Sequence, residues 1–285
     1  MPPVDIAAAG HDEVTLALAK VESAEHLGPA MESLRVRIST LNLVVRASPA
    51  IDESAEDVVG EKEKFLCAKT VHFIRHGQGF HNLLADRATA AGVVWEQYSR
   101  SDTNPYVAPE ILDAPLTHKG RLQASSLRTE DLDPQPSAIF VSPLCRALQT
   151  AVLAFGHLVG REDVPFLSHE TIREMTGVHT CDQRRPIREQ AAEFPMVDFG
   201  LHEDADEDGI FEEDRRESTL EVGMRIYSFL EWLSGREEEV VGVVSHSGWL
   251  MTLFNGVLLT DFDELKAWFQ TGEIRSVRLV FSIEK

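Results

Sequence analysis

TVHFIRHGQGFHN, residues 70–82, changes character halfway along. Its first six residues are β-branched, apolar or aromatic for the most part, the composition of a short buried strand. Arg75 and His76 follow where the apolar run ends, and Gly77, Gly79 and Asn82 come in quick succession. The chain carries a formal net charge of -20, so a pair of basic side chains at a strand end needs a reason. They form either a solvated loop or a pocket for an anion.

Three more runs read as strands: SAIFVS (137–142), VVGVVS (240–245) and SVRLVFSI (276–283). VVGVVS is apolar on both faces, as a central parallel strand is, and SVRLVFSI is expected nearer an edge. Helical spacing fills the intervals. SPLCRALQTAVLAF is expected to start a helix with Ser142 as N-cap and Pro143 first, and to place Leu144, Leu148, Ala151, Val152 and Phe155 on one face. Residues 217–234 set Val222, Ile226, Phe229, Leu230 and Leu233 at the same period, and SGWLMTLFNGVLL is apolar nearly all round, a helix buried behind the sheet. Strands alternating with helices predict an α/β fold, a three-layer α/β/α sandwich with a mostly parallel central sheet. Residues 1–65 read as an N-terminal extension, helical in part or mobile, with an amphipathic helix over 12–27 and loose alternation at Leu34, Val36 and Ile38. The main domain is expected over 66–285, so a chain starting near Glu61 is expected to fold.

In open α/β sheets ligands bind beyond the carboxyl ends of the strands. The first strand ends in Arg75 and His76, followed by Asn82; the second leads into SPLCR, with Arg146 in the first turn of a helix. The third leads into SHSG, with His246 at a helix start and the backbone N–H groups of Ser247 and Gly248 beside it. Two arginines, two histidines and helix N-termini at one sheet edge describe a phosphate cradle. Arg146 opposes the dipole of its helix, a mild cost that points to a local counter-anion. Any one of these features alone is more often ordinary surface; three on successive strand ends are not independent.

Composition narrows the partner. A chain of 285 residues, 43% hydrophobic, can bury one sizeable core. Its acidity argues against nucleic acid or an anionic membrane as a broad-surface partner. Cys67, Cys145 and Cys181 are scattered without a CxxC pair, which fits reduced intracellular thiols better than a disulfide framework or a zinc site. Early acids at the N-terminus, and no apolar run of about 18 residues, make a soluble, cytoplasmic protein the expectation. DADEDGIFEEDR (204–215) imitates a calcium loop at Asp204, Asp206, Asp208 and Gly209, but Arg215 stands where a bidentate Glu belongs, so it reads as a solvated acidic loop. HTCDQRR holds one His and one Cys, too few for a metal site, and its Arg184 and Arg185 read either as substrate-side contacts or as plain surface. No metal and no cofactor is called for, and the oligomeric state is open.

RHGQGFHN, SPLCRALQTA, REMTGVH and VVSHSGWL, in that order, resemble the histidine phosphatase superfamily, the phosphoglycerate-mutase-like clan, from about Thr70 to the C-terminus. DAPLTHKGRLQA (113–124) resembles the family's segment between the first two blocks, and GVHTCDQRR and FPMVDF bring the chain nearest to eukaryotic phosphoglycerate-mutase-like proteins. The resemblance implies that His76 is the nucleophile that becomes phosphorylated. It implies that Arg75, Arg146 and His246 hold the phosphoryl oxygens and that Asn82 adds a hydrogen bond. Ser247 stands where some members carry the proton donor, so the resemblance passes that role to Glu174, where the other branch keeps a glutamate. The implied activity is a phosphomonoesterase acting on a small phosphorylated metabolite. A mutase-type phosphoryl transfer and a non-catalytic phospho-ligand-binding regulator are the alternatives. No implied catalytic residue is missing, which weakens the regulator. The stretch after Asn82 lacks the long basic, tyrosine-containing loop expected of glycolytic mutases and offers Trp95, Tyr98 and Tyr106 as lid residues instead.

Overall fold

The computed structural model describes residues 28–50, 59–202 and 206–285; the helix expected over 12–27, and Asp204, lie outside them. Among the described residues, β1 (Leu43–Pro49), β2 (Glu63–Arg75), β3 (Ala138–Val141), β4 (Phe166–Ser168), β5 (Val240–Ser245) and β6 (Ile274–Glu284) form one sheet. Their order is β1-β6-β2-β5-β3-β4. The pairs β2·β5, β5·β3 and β3·β4 are parallel; β6 runs antiparallel to β2 and β1 on either side. SVRLVFSI lies one strand in from an edge, nearer it than β2 or β5, and β1 covers its outer side.

Alternation along the strands builds two cores. Val71, Phe73, Phe140, Val241 and Val243 face a layer containing α1 (residues 28–38), α6 (Thr219–Ser234) and α7 (Ser247–Thr252). Ile74, Ile139, Val141 and Val244 face the other layer, which holds α4 (Cys145–Ala154). Both faces of the sheet are covered, so the three-layer α/β sandwich is what the chain forms. The five apolar residues expected on one face of α6 are all buried, and Ser218 caps that helix in a capping box with Glu221. Among the described residues no helix is long and apolar enough to cross a membrane.

Four local expectations need correcting. The boundary at residue 65 falls inside β2, and residues 28–49 are built into the sandwich: Met31, Leu34, Leu43 and Val45 are buried in its first core. Leu34, Val36 and Ile38 lie on a helix, where Leu34 and Ile38 pack inward one turn apart and Val36 is exposed. The helix expected from Ser142 begins at Cys145, because Leu144 is extended and the Cys145 N–H donates to Asp113 Oδ1 at 2.8 Å, a cap supplied by a distant loop. The acidic stretch is not a free solvated loop either. Asp208 accepts from the buried Arg173 at 2.7 Å, and Asp206 pairs with Arg188.

Candidate active site

β2, β5 and β3 are neighbours in register, with Arg75 beside Ser245 and Val244 beside Val141. The residues after each strand therefore emerge together. The rings of His76 and His246 lie 5.0 Å apart, and His246 Nε2 is 2.7 Å from Ser142 Oγ. Ser142, expected as a helix cap, instead accepts from the Leu144 N–H at 3.3 Å and meets His246. Arg146 rises from the first turn of α4, and its Nε donates to His76 Nε2 at 3.3 Å.

His76 Nδ1 lies 2.6 Å from the Gly77 carbonyl oxygen. A carbonyl only accepts, so the ring hydrogen sits on Nδ1 and Nε2 keeps its lone pair. Burial, then the charge of Arg146, holds His76, His246 and a third imidazole, His81, well below the ordinary histidine range. His81 is on the first turn of α2 (Phe80–Ala90), its ring 5.5 Å from that of His76.

The two arginines are anchored differently. Arg75 donates from Nη1 to the Phe269 carbonyl at 2.7 Å; burial lowers its guanidinium to about 10, with Glu174 the largest opposing influence. Arg146 gives Nη1 to the Cys181 carbonyl at 2.6 Å and Nη2 to Asp182 Oδ1 at 2.7 Å. Burial works against its charge too, but Asp182 leads the influences that outweigh it, and the net shift is upward. Asp182 itself is buried, which favours its neutral form; Arg216, His179 and Arg146 together hold it well below the carboxylate range instead.

Glu174 sits at the N-terminus of α7. Its Oε2 accepts from the Gly248 N–H at 3.0 Å and from Ser247 Oγ at 3.3 Å, and its Oε1 from the Met175 N–H at 2.9 Å. Gly248 makes this approach feasible: a Cβ there would stand 2.4 Å from Glu174 Oε1. Ser247 thus holds Glu174 through its hydroxyl. Asn82 spends its Oδ1 on the Gly79 N–H at 3.0 Å, closing the start of α2, so its amide nitrogen is the end left to meet a ligand.

Arg184 and Arg185 are not brought to this centre. Arg184 is buried against Glu170 and donates to the backbone carbonyls of Asp206 and Glu207; Arg185 pairs with Asp113 and Glu193. Tyr98 and Tyr106 stack on His179, and Trp95 stands partly buried in the same segment. Sequence reasoning missed Asp182, whose signal was available: a buried arginine requires a counter-charge, and HTCDQRR contains one.

Comparison with known proteins agrees with the motifs. A sequence model of the histidine phosphatase superfamily (branch 1) matches residues 107–281, starting after the loop of Arg75 and His76. A phosphoglycerate mutase-like protein of Arabidopsis thaliana is 33% identical over 229 residues, 70% of this chain and 78% of its own. A probable phosphatase of Schizosaccharomyces pombe is 27% identical over 185 residues, 62% of this chain and 74% of its own. Among solved structures, a putative alpha-ribazole-5'-P phosphatase of Escherichia coli covers 77% of this chain and 97% of its own, with 17% identity and a TM-score of 0.46. On the matched span and on the identity to the Arabidopsis protein, the chain belongs to the histidine phosphatase superfamily.

Proposed function

We propose that this chain is a phosphomonoesterase that hydrolyses a small phosphorylated metabolite through a phosphohistidine on His76, with Glu174 as general acid and base. One observation carries the reading. The buried nitrogens Arg75 Nε, His246 Nδ1 and His81 Nδ1 have no hydrogen-bond partner among the described residues, and the two imidazole rings lie 5.0 and 5.5 Å from that of His76. Leaving such groups unpaired costs about 1–3 kcal/mol each, and the oxygens of a phosphoryl group would relieve that cost. If the Ser142 hydroxyl donates to His246 Nε2, the neutral ring carries its hydrogen on Nδ1, ready to donate.

The steps follow from these positions. A phosphoryl oxygen takes over the Arg146 Nε–H and frees the His76 lone pair. Nε2 attacks phosphorus, the P–O bond to the alcohol breaks, and protonated Glu174 gives its proton to the departing oxygen. Water then attacks the phosphohistidine, Glu174 takes the water's proton, and the N–P bond breaks to release inorganic phosphate. Arg75 and Arg146, held in place beforehand, stabilise the charge spread over the equatorial oxygens.

The test is a panel of phosphorylated metabolites assayed for phosphate release, with interconversion of 2- and 3-phosphoglycerate followed alongside. Rapid quench should trap an acid-labile phosphoenzyme that His76→Ala does not form. Mutase turnover exceeding hydrolysis would replace the phosphatase reading by the mutase one, and a phosphoenzyme retained in His76→Ala would overturn both.

A further inference from the structure

Glu174 lies in residues 173–178, which form neither helix nor strand, so no regular ladder serves their backbone groups. Backbone groups enclosed in such a stretch have to be met by something else. Side chains do this on the approach to Glu174. The Thr171 carbonyl accepts from Trp249 Nε1 at 2.8 Å and from Arg225 Nη1 at 2.7 Å, and the Ile172 carbonyl from Ser245 Oγ at 2.8 Å. Arg225 continues along the chain, with Nη1 3.2 Å from the Arg173 carbonyl oxygen and Nη2 3.3 Å from that of Glu174.

That guanidinium is itself fixed. Its Nε lies 2.8 Å from Glu217 Oε1 and its Nη2 2.7 Å from Glu217 Oε2, a planar fork that a lysine cannot reproduce. Five N–H groups meet five acceptors, so Arg225 serves the protein and has none left for a ligand. Glu217 holds the far side of the segment: its Oε2 accepts from the Thr176 N–H at 3.0 Å, and its own N–H donates to the Thr176 carbonyl at 2.9 Å. Arg225 stands on α6 between Val222 and Ile226, both fully buried, and Glu217 immediately precedes the Ser218 cap. One rigid helix therefore brackets Glu174 on both sides.

We propose that Arg225 is a positioning residue: forked on Glu217, it fixes the backbone of residues 171–176 and so keeps the Glu174 carboxyl at the start of α7. The bonds from Gly248 and Ser247 are charge-assisted only while Glu174 is a carboxylate, and they weaken when it carries a proton. As general acid and base Glu174 passes through both forms. The bonds from Arg225 end on backbone carbonyls, whose charge does not change, so they hold in both. The effect on turnover rests on the phosphatase reading; the placement of Glu174 does not.

Two variants of the full chain test it. Arg225→Met keeps the stem and removes the charge; Arg225→Lys keeps a cation for Glu217 but cannot bond three carbonyls at once. In hydrogen exchange without substrate, the Met175 and Gly248 amides, which donate to the Glu174 carboxylate, should lose protection in both variants while amides of β5 keep theirs. In rapid quench with glycerol 2-phosphate, phosphorylation of His76 should slow by up to about 10²-fold, the scale of an ångström-sized misplacement, with KM little changed. With p-nitrophenyl phosphate, whose phenolate leaves without a proton, the rate should change little. Arg225→Lys added to Glu174→Gln should cost nothing further, because both act through one carboxyl. Equal losses on the two esters, or an additive loss in the double variant, make Arg225 a general support of the fold and overturn the proposal. Wild-type protection of Met175 and Gly248 in Arg225→Lys overturns it as well, so a poorly folding Arg225→Met cannot rescue the idea. If Glu174→Gln alone slows both esters equally, or the wild type turns over neither, the functional reading falls and the exchange result alone decides the placement.

Discussion

Leu34→Ala measures how far the segment before residue 61 belongs to the core. Leu34 has no exposed surface, and it occupies a notch that two missing side chains create. A Cβ at Gly223 would stand 2.3 Å from one Leu34 methyl, and a Cβ at Gly256 would stand 2.5 Å from the other. Gly223 lies on α6, and Gly256 in the π-helical turn that follows α7, so one leucine from α1 keys into two elements of the sandwich. Truncation to Ala removes three carbons, about 2.4 kcal/mol at ~0.8 kcal/mol per buried carbon group. A cavity walled by backbone collapses poorly, which moves the expected loss to about 4 kcal/mol, in the upper part of the range for such truncations. Trp232 and Trp249 pack in or against the same core, so their fluorescence during urea unfolding reports on this region. A loss below about 1 kcal/mol would refute the keyed packing. By the same reasoning a chain starting at Glu61 lacks Leu34 and all of β1, leaves β6 as a bare edge, and is expected to fail to fold cooperatively, against the expectation from motif order alone.

Glu174→Gln should slow hydrolysis of an aliphatic phosphomonoester by roughly 10²–10⁴-fold, but slow phosphorylation of His76 by p-nitrophenyl phosphate much less, because phenolate leaves unprotonated; equal losses in rapid quench would remove Glu174 from the acid role. Gly248→Ala should reproduce part of that defect, since its methyl collides with the Glu174 carboxylate, and wild-type kinetics in this variant would contradict the geometry. His76, His81 and His246 are held neutral below the pH at which they protonate in the unfolded chain. Stability is therefore intact above pH ~6.5 and declines on acidification by up to about 1.4 kcal/mol per pH unit for each histidine, and a thermal midpoint that rises between pH 7 and 5 would contradict this. Turnover should survive chelators, because guanidinium groups supply the positive charge the transition state needs; activity lost to chelation and restored by magnesium or zinc would contradict that.

The parts of the site legible in the sequence are those that one strand end fixes. His76, Ser142 and His246 each follow a strand directly, so recognising β2, β3 and β5 as parallel neighbours was enough to bring them together. The apolar face of α6 was legible for a similar reason, since its period is local and its cap, Ser218, immediately precedes its first residue. The start of α4 was not, because its first N–H is met by Asp113, 32 residues earlier, and no local pattern announces a cap delivered from a distance. Residues 28–49 were misjudged because their burial depends on what they meet. Leu34 reads as one position of a loose alternation until Gly223 and Gly256, far along the chain, supply the notch.

Asp182 shows the same limit for charge. Arg146 is fully enclosed and presents only Nε to His76, so the protein must neutralise the rest of its guanidinium. A buried charge without a partner would cost several kcal/mol, and a solvated acid could not reach it. The answering carboxylate had to be buried as well, and therefore had to come from a segment packed against α4. Asp182 meets this demand and takes Arg216 and His179 along with it. In the sequence its neighbours His179 and Cys181 suggest a metal cluster with too few ligands, and that reading hides the aspartate between them and the arginines. The charge on Arg146 was the better guide. Where a strand-end arginine is expected to face a nucleophile, the acid that holds it is part of the site, and here that acid also meets the residue that touches the loop above it.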